Sequence, residues 1–412
     1  MTVYSSFLKI TSFYKEFLNN YYRSNPHIIE KDYSEQNSHL MAEGYGYSDF
    51  FPKYIQKNYS IRSREIIHNA WHLQQAWAWE NSSRSVGDEL LLEQIKSMQP
   101  EVVFIQDSSN FDAGYIDRIR SEVKSVRLLI GHCCAPYNDR NMEAFSRYNL
   151  MLACSEKFFG ELRKQKINCY LFPHAFEASL VPENRSQTPP ENDIIFIGSM
   201  LYRREFHQRR IAYVEEILKH RLPLQMFGII EEDSWHLLKI KQLAYLLIKA
   251  LEIAGIKGFQ GNRSLRKIAQ LKDMPVKTRY TALIKENLKG DVLFGKQMLN
   301  EISRHSVGFN IHGDLAGDYA ANVRMFEVAG AGALLVTDHK KNIRDLYEPD
   351  VEILTYSSIE ECIEKLKWAI GHPVEAGRIA AAGQKRTLID HSVERRVDLL
   401  YEIMKKEYSG SQ

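Results

Sequence analysis

Two side chains of opposite charge, Arg324 and Glu327, lie three residues apart in the stretch NVRMFEVAG. The apolar spacing of this stretch predicts a helix, and Asn322 can cap it by accepting a hydrogen bond from a free amide of the first turn. A helix start presents unpaired N–H groups and a positive dipole end, which favour phosphate. A carboxylate that suits sugar hydroxyls would then lie beside a cation that suits phosphate, so we predict a nucleotide-sugar site. The alternative is a surface ion pair one helical turn apart.

The elements around this helix predict an α/β fold. A polar loop from Asp314 precedes the helix, and Gly330 and Gly332 end it before the apolar strand 333–337. Short apolar strands alternate with helical stretches along the whole chain, which is typical of parallel sheets. We place these strands at 3–10, 102–105, 127–130, 150–153, 169–172, 194–197, 224–227, 307–311 and 351–354.

Polar residues follow several of these strands. Asp107, His132 and His174 do so in the first half of the chain, and His312 does so in the second. Ligands of parallel sheets bind at the carboxyl ends of the strands, so all four are candidate cleft residues. The alternatives are that Asp107 caps a turn and that His132 is a core histidine with satisfied hydrogen bonds.

A second anion site is predicted where the strand 194–197 ends. Gly198 and Ser199 follow it, and Arg203, Arg204, Arg209 and Arg210 lie at the head of the next helix. Arginine side chains beside a strand-end glycine suit a diphosphate. A solvated basic helix face is the alternative, and we expect it for at least two of the four.

Composition narrows the class of protein. A chain of 412 residues with 44% apolar and 26% charged residues is long enough for two ordinary domains. The net charge of +2 argues against a dedicated nucleic-acid binder. Five cysteines, without a Cys-x-x-Cys spacing, indicate a reducing compartment and no zinc site. Since we find neither a signal peptide nor a membrane-spanning run, we expect a cytoplasmic protein.

Three stretches have an ambiguous role. The aromatic-rich stretch 39–80 can bind sugars, but we interpret it as core. The polar, proline-rich stretch 181–192 is interpreted as a linker. Residues 235–254 predict a long helix, and the basic segment 257–289 follows it. We interpret the segment as an inserted helical pair with a solvated face; a peripheral contact with the inner face of a membrane is the alternative.

Several motifs together resemble a known family. They are VVFIQD, LLIGHCCAP, FPHAF, IIFIGS, GFNIHG, NVRMFEVAGAGALLVTD, EILTYSS and IAAAGQKRTLIDHS. They resemble the CgeB-type (spore maturation protein-like) glycosyltransferases, relatives of the group-one glycosyltransferases of the GT-B fold. The resemblance extends from about residue 100 onward, and it is most specific between Asn322 and Ser392.

The resemblance implies two facing Rossmann-like domains with the active site in the cleft between them. It places an N-terminal acceptor domain at 1–180, the linker at 181–192 and a nucleotide-sugar-binding domain at 193–390. A C-terminal helix, within 391–412, would cross back to the N-terminal domain. The implied reaction moves a hexosyl or related group from a nucleotide-diphosphate sugar to a saccharide, lipid-linked or protein acceptor, with no metal and no cofactor.

The resemblance also assigns roles to residues. Glu327 matches the glutamate that binds the ribose hydroxyls, Arg204 or a neighbour matches the cation near the diphosphate, and His132 matches the histidine that faces the transferred sugar. Together with the strand-end positions, this gives acceptor-side residues Asp107, His132 and His174, and catalytic residues His132, Asp107 and Arg324. The expected donor-binding residues are Gly198, Ser199, Arg203, Arg204, His312, Asn322, Arg324 and Glu327.

One position departs from the pattern of the family. Retaining relatives carry a second glutamate eight residues before the ribose-binding one, and this chain has Tyr319 there. The stereochemical outcome therefore stays open: an inverting enzyme needs a general base, which Asp107 or His132 could supply. The same departure motivates a second hypothesis, a catalytically silent GT-B module that binds a glycan or a partner. A nucleotide-sugar epimerase is a third hypothesis.

Overall fold

A computed structural model describes residues 3–183, 190–200, 205–228, 230, 235–254, 274, 282–290, 292–313 and 316–410. The chain divides into two compact units: the first comprises Met1–Ile194 and Phe294–Gln412, and the second comprises Ile195–Leu293. Residues 184–189 of the predicted linker lie outside the described residues, and the predicted domain boundaries stay a prediction. No helix among the described residues is both long enough and apolar enough to cross a membrane.

The first half of the chain forms a six-stranded parallel sheet in the order β2–β1–β3–β4–β5–β6. Leu8 at its centre lies beside Arg64 on one side and Val103 on the other. The strands are β1 (Ser6–Thr11), β2 (Arg62–Ile67), β3 (Val102–Ile105), β4 (Leu128–Cys133), β5 (Leu150–Ala153) and β6 (Cys169–Leu171).

Helices connect these strands, and short 3₁₀ turns occur at Pro26–Glu30, Ser108–Asn110 and Ala178–Leu180. The helices of this half are α1 (Lys15–Ser24), α2 (Tyr33–Ala42), α3 (Phe50–Tyr59), α4 (Trp71–Glu80), α5 (Asp88–Met98), α6 (Ala113–Glu122), α7 (Asp139–Phe145) and α8 (Glu156–Lys164).

Both faces of this sheet are buried at its centre, which explains why β3 (VVFI) and β5 (LMLA) are continuous apolar runs. Successive residues point to opposite faces, so Leu129 packs in one core cluster and Ile130 in the other. The first cluster includes residues of α5, α6 and α8, and the second includes residues of α3. A sheet of this kind requires helices on both sides.

The second half forms a five-stranded sheet in the order β11–β10–β9–β7–β8. The pairs β9–β10 and β10–β11 are parallel, and Leu335 lies beside Gly308. The strands are β7 (Glu191–Ile197), β8 (Leu224–Phe227), β9 (His305–Asn310), β10 (Leu334–Asp338) and β11 (Leu354–Tyr356). The described helices are α9 (Glu205–Lys219), α10 (Trp235–Ile253), α11 (Ala282–Asn287), α12 (Gly295–Ser303), α13 (Val323–Gly330), α14 (Ile343–Leu346), α15 (Ile359–Gly371), α16 (Pro373–Asp390) and α17 (Val393–Gly410).

The last helix, α17, covers one face of the first sheet, as predicted. Its buried side chains belong to the same core cluster as Phe7, Phe104 and Ile130 of the sheet. Polar contacts border this core, because Tyr59 donates to Asp398 at 2.6 Å. The buried apolar residues of α17 are Val393, Val397, Leu400, Ile403 and Met404.

A short segment after β6, Phe172–Glu177, connects α17 to the rest of the first unit. The backbone N–H of Phe176 donates to His391 at 2.8 Å, and its carbonyl accepts from the N–H of Val393 at 2.9 Å. The buried Arg396 donates to the carbonyl of Pro173 at 2.8 Å. This segment therefore fixes where the chain end crosses back.

The packing of α17 predicts different effects of truncating two adjacent leucines. Leu400 is fully buried, whereas Leu399 is 36% exposed. We expect Leu400→Ala to lower the free energy of unfolding by about 2–5 kcal/mol, because it leaves a cavity. Leu399→Ala should change it by less than about 1 kcal/mol. Urea denaturation followed by circular dichroism measures both, and equal effects of the two variants would contradict this packing.

Candidate functional site

The start of α13 is held by hydrogen bonds to polar side chains at the carboxyl ends of β9 and β10. Asn322 caps the helix, because its Oδ1 accepts from the N–H of Met325 at 3.3 Å. Its amide nitrogen donates to Oδ1 of Asn310 at 2.8 Å, and Asn310 donates to the hydroxyl of Thr337 at 2.8 Å. The predicted cap is thus confirmed, and the helix start is tied to the ends of β9 and β10.

Arg324 and Glu327 form the predicted pair, but it is not a solvated surface pair. The Nη1 atom of Arg324 lies 2.9 Å from Oε2 of Glu327, and the two side chains are only 23% and 19% exposed. Arg324 also contacts the sulfur of Met298. Within the part of the chain that the structure describes, Oε2 of Glu327 is buried and accepts no directed hydrogen bond. The carboxylate therefore has free capacity to accept hydrogen bonds from a ligand.

His312 lies just beyond β9 and is held by Asp338 at the end of β10. Both the backbone N–H and the Nδ1 of His312 lie 2.8 Å from Oδ1 of Asp338. Because Nδ1 must carry the proton in this contact, the Nε2 of a neutral His312 is an acceptor. This Nε2 is buried and makes no hydrogen bond among the described residues.

The carboxylate of Asp338 also interacts with Lys340. The Nζ of Lys340 lies 3.3 Å from Oδ2 and donates to the carbonyl of Gly317 at 3.0 Å. Burial alone would raise the pKa of Asp338, but the hydrogen bonds and charge of His312, together with the charge of Lys340, hold the pKa below its usual value. Asp338 is therefore ionised at neutral pH.

The loop that leads into α13 is anchored on the turn after β10. Asn342 accepts from the N–H of Ala320 at 2.7 Å, and its amide nitrogen lies 3.0 Å from a carboxylate oxygen of Glu156 on α8. The N–H of Lys341 donates to the carbonyl of Asp318 at 2.9 Å. Tyr319 is partly exposed in this loop. Tyr319, the residue that departs from the family pattern, is thus positioned by the hydrogen bonds of its two neighbours, Asp318 and Ala320.

In the first half, Asp107 binds the end of β1. Its Oδ2 accepts from the hydroxyl of Thr11 at 3.0 Å and from the N–H and hydroxyl of Ser12 at 2.7 and 2.9 Å. The carboxylate is partly exposed. Asp107 therefore organises the loop between β1 and α1, as the turn-capping alternative implied, and it still faces solvent.

His132 and His174 lie together, with ring centroids 6.0 Å apart. His132 is only 4% exposed, and its two ring nitrogens make no hydrogen bond among the described residues. Burial, assisted by His174 and Lys9, lowers its pKa to about 3. His174 lies 2.8 Å from the hydroxyl of Tyr47, and burial with the charge of Arg396 lowers its pKa to about 4. Both histidines are neutral at neutral pH.

Two tyrosines join Asp107 to the helix α13. Burial raises the pKa of Tyr14, and the charges of Asp107 and Glu327 raise it further. Burial likewise raises the pKa of Tyr45, and Glu327 and Asp107 again add to this. The charges of Asp107 and Glu327 therefore act on the same two tyrosines of the first unit.

Tyr14 differs from the aromatic residues around it. Its side chain is 69% exposed, although the surrounding protein desolvates its hydroxyl. Tyr45 is packed edge-on against Tyr14 at 6.0 Å and stacked on Phe17 at 4.1 Å. Our interpretation of the aromatic stretch 39–80 as core fits Tyr45, which packs on Phe17, and the buried Phe51 and Trp77. It is wrong for two residues of α4 that face solvent, Trp71 and Trp79, which are 58% and 87% exposed. The sequence analysis missed Tyr14, and its position three residues after β1 is the signal that could have indicated it.

The second unit contains the loop after β7. The N–H of Gly198 donates to Phe227 at 3.0 Å, and Arg210 of α9 donates to the carbonyl of Ser199 at 2.8 Å. A side chain at Gly228 would overlap the carbonyl of Gly198, so the two strand ends can approach only with glycine there. Arg203 and Arg204 lie outside the described residues.

A group that could bind a metal lies at the other end of the strands. It comprises Glu191, Asp193 and His305, whose ligand atoms lie within 4.8 Å of one another. His305 contacts Asp193 at 2.6 Å and joins the first residues of β9 to those of β7. This group is remote from the carboxyl ends of the strands, and the expected metal independence of the reaction stays a prediction.

Comparison with known proteins adds to this geometry. Residues 262–402, about a third of the chain, match the family model Glyco_trans_1_2, described as glycosyl transferase-like. Sucrose-phosphate synthase from Thermosynechococcus elongatus superimposes with a TM-score of 0.55 at 8% identity, over 98% of this chain and 100% of that one. HepE from Anabaena, solved in complex with UDP-glucose, superimposes with a TM-score of 0.56 at 9% identity, over 97% of this chain and 99% of that one. No curated protein matches the sequence.

The chain has the GT-B fold. A glycosyltransferase from Rickettsia africae also superimposes, with a TM-score of 0.50 at 10% identity over 98% of both chains. The matched segment 262–402 contains α13, β10 and most of α17. The fold prediction is thus confirmed, and Glu327 lies in the part of the GT-B chain that matches the glycosyl transferase-like family.

The pair of His312 and Asp338 predicts a pH-dependent contribution to stability. Because the pKa of Asp338 is lowered in the folded protein, its contribution is complete above the unfolded pKa, about 3.9, and is lost as the pH falls through the folded value. We expect Asp338→Asn to lower the melting temperature at pH 7, and the difference from wild type to shrink below about pH 4. Thermal melting between pH 3 and 8 measures this.

Asp318→Asn is the matched control, since the side chain of Asp318 is 69% exposed and pairs only with Lys341 among the described residues. It should change the melting temperature little at any pH. A constant deficit of the Asp338 variant over the whole pH range would contradict the assigned charge interaction.

Proposed function

We propose that this GT-B protein is a glycosyltransferase that moves a sugar from a nucleotide-diphosphate sugar to an acceptor. The observation that carries the proposal is the pair on α13. Glu327 has a desolvated oxygen with free acceptor capacity, and Arg324 lies beside it near a capped helix start. The complex of HepE with UDP-glucose, in a protein of the same fold, supports a nucleotide-sugar donor.

On the donor side, Glu327 accepts hydrogen bonds from the ribose hydroxyls. Arg324 and the N-terminal amides of α13 stabilise negative charge on the diphosphate as it leaves. His312 accepts a hydrogen bond from a hydroxyl of the transferred sugar through its Nε2, which makes no hydrogen bond among the described residues. In the second unit, the loop of Gly198 and Ser199 with Arg203 and Arg204 stays a predicted anion site.

On the acceptor side, the structure favours Asp107 over His132 as the general base. A general base must reach the acceptor hydroxyl, and His132 is only 4% exposed. Asp107 is partly exposed at the site and already oriented by Thr11 and Ser12. His132 and His174 then bind sugar hydroxyls as neutral groups, and Tyr14 offers an exposed ring on which an acceptor sugar can stack.

The alternative function is a silent GT-B module that binds a glycan without transfer. It is favoured by Tyr319, which occupies the position of the second glutamate of retaining relatives. An inverting reaction with Asp107 as base does not need that glutamate, so we rank transfer first. The CgeB-type specificity, the acceptor class and the absence of a cofactor stay predictions. An epimerase would isomerise the donor without any acceptor.

The direct test is release of free nucleotide from a panel of nucleotide-diphosphate sugars. Transfer predicts release with at least one donor, stimulated by an acceptor saccharide, and protection against thermal unfolding by the matching nucleotide diphosphate. Protection without release assigns the silent module. Neither release nor protection with any donor would overturn the proposed transfer.

The role of Glu327 predicts a loss of nucleotide affinity. Glu327→Ala removes hydrogen bonds to a charged acceptor, worth about 1.5–3 kcal/mol, so the nucleotide diphosphate should bind roughly 10- to 100-fold more weakly. Glu364→Ala, at an exposed position of α15, is the matched control and should bind as wild type does. Isothermal titration measures both, and unchanged affinity of the Glu327 variant would remove Glu327 from the donor site.

The role of Asp107 predicts a kinetic effect instead. Asp107→Asn keeps an oxygen that can accept from Ser12 but cannot take a proton, so kcat should fall by about 10²- to 10⁴-fold with nucleotide affinity unchanged. Asp112→Asn, at the start of α6, is the control for a nearby capping carboxylate. If kcat of the Asp107 variant stays within a few-fold of wild type, Asp107 only positions the loop.

A further inference from the structure

The helix α10 exposes a row of large apolar side chains. It is 19 residues long and belongs to the second unit. Ile240, Leu243 and Leu247 follow one another at helical spacing, and they are 61%, 67% and 61% exposed. Leu246 and Ile253 extend the same row at 54% and 89%. We call these five residues the α10 apolar row.

The opposite side of α10 is packed, so the helix has two distinct faces. Leu238 is 4% exposed and Ile248 is 2% exposed. Ten residues make about 2.8 helical turns, so these two side chains point about 80° apart and share one broad face of the helix. The helix therefore stays seated on its unit through one face and presents the apolar row on another.

An exposed row of this kind is unusual on a soluble surface. Burying one leucine side chain completely gains about 1.5–3 kcal/mol, so five large apolar side chains left in water forgo a substantial stabilisation. Contiguous exposed apolar surface marks an interaction site more often than chance placement does. Something that can remove this row from water is therefore expected.

The charges of α10, and of the sequence that follows it, select the partner. The residues of α10 include Lys239, Lys241 and Lys249 but only one carboxylate, that of Glu252. The chain continues with nine basic and two acidic residues between 257 and 289. A basic helix with an exposed apolar row suits an anionic lipid surface, since it lies in the interface with its apolar side chains among the acyl chains. Two such helices would repel each other, which disfavours a second copy as the partner.

We propose that α10 lies flat on an anionic membrane surface and that the apolar row inserts into it. No described helix can cross a bilayer, so the contact is peripheral. The inference goes beyond the proposed function, because it concerns where the protein acts and not which bond it forms. A lipid-linked or membrane-borne acceptor would be brought to the protein by this contact.

Flotation with lipid vesicles tests the proposal on the full-length protein. We expect it to float with vesicles containing about a third phosphatidylglycerol, to float at least about tenfold less with pure phosphatidylcholine, and to be released partly by 0.5 M salt. The variant Leu243→Gln/Leu247→Gln should bind the anionic vesicles at least about tenfold more weakly. Leu399→Gln, at an exposed leucine of α17, is the matched control and should float as wild type does.

Since the substituted leucines are exposed, the double variant should keep the melting temperature of wild type. Should it nevertheless lose stability, Lys239→Glu on the same helix provides a second test, because it should weaken anionic binding without removing apolar packing. Sedimentation velocity tests the alternative partner, a second copy of the chain. A dimer that the double variant abolishes would assign the apolar row to this second copy and overturn the proposal.

The proposed membrane contact would also be overturned by equal binding to both vesicle types, by no binding to either type, or by wild-type binding of both variants. Nucleotide release is measured in parallel without vesicles. Release that persists while flotation fails rejects the membrane contact alone, and flotation without release rejects only the proposed transfer.

Discussion

The burial of the segment Phe172–Glu177 is the constraint on which the described first unit depends. Phe172 lies in the core beneath the first sheet, and Phe176 pairs through its backbone with the chain just before α17. A side chain at Gly330 would overlap the ring of Phe176, so α13 can take its position only because residue 330 is glycine. His174 lies within this same segment. The core beneath the first sheet, the start of α17, the helix α13 and His174 are thus all positioned by these six residues.

This arrangement explains how a site can be built from distant parts of the sequence. Asp107 belongs to the first sheet and Glu327 to a helix more than 200 residues later, yet both influence the same two tyrosines. Their relative position depends on the packing of Phe176 against Gly330 and on Arg396, which donates to the carbonyls of Pro173 and His174. The buried guanidinium also helps to keep His174 neutral. The contacts that stabilise the fold therefore also position the residues of the candidate site.

Local patterns predicted the elements of the site well. Asn322 as a cap, Arg324 with Glu327, and the polar residues after β3 and β9 all follow from helix and strand periodicity. His132 was expected after its strand and lies inside β4, which extends to Cys133. What local patterns could not predict are degrees of burial and long-range partners. His132 resembles any strand-end histidine in sequence, and its low pKa arises from Lys9, His174 and the surrounding core. The buried pair of Lys9 and Glu65, 2.6 Å apart, joins strands 56 residues apart and has no local signal.

The helix α17 has a consequence for how the protein is made. Arg396 and Pro173, which it binds, are 223 residues apart in the chain. The strands of the first sheet leave the ribosome long before the helix that covers one of their faces. During this interval, Phe7, Phe104 and Ile130 are only partly buried, and exposed apolar surface of this kind promotes aggregation. Completion of the first half is therefore delayed until α17 is synthesised, and a ribosome that stalls shortly before residue 393 leaves a nascent chain that depends on chaperones.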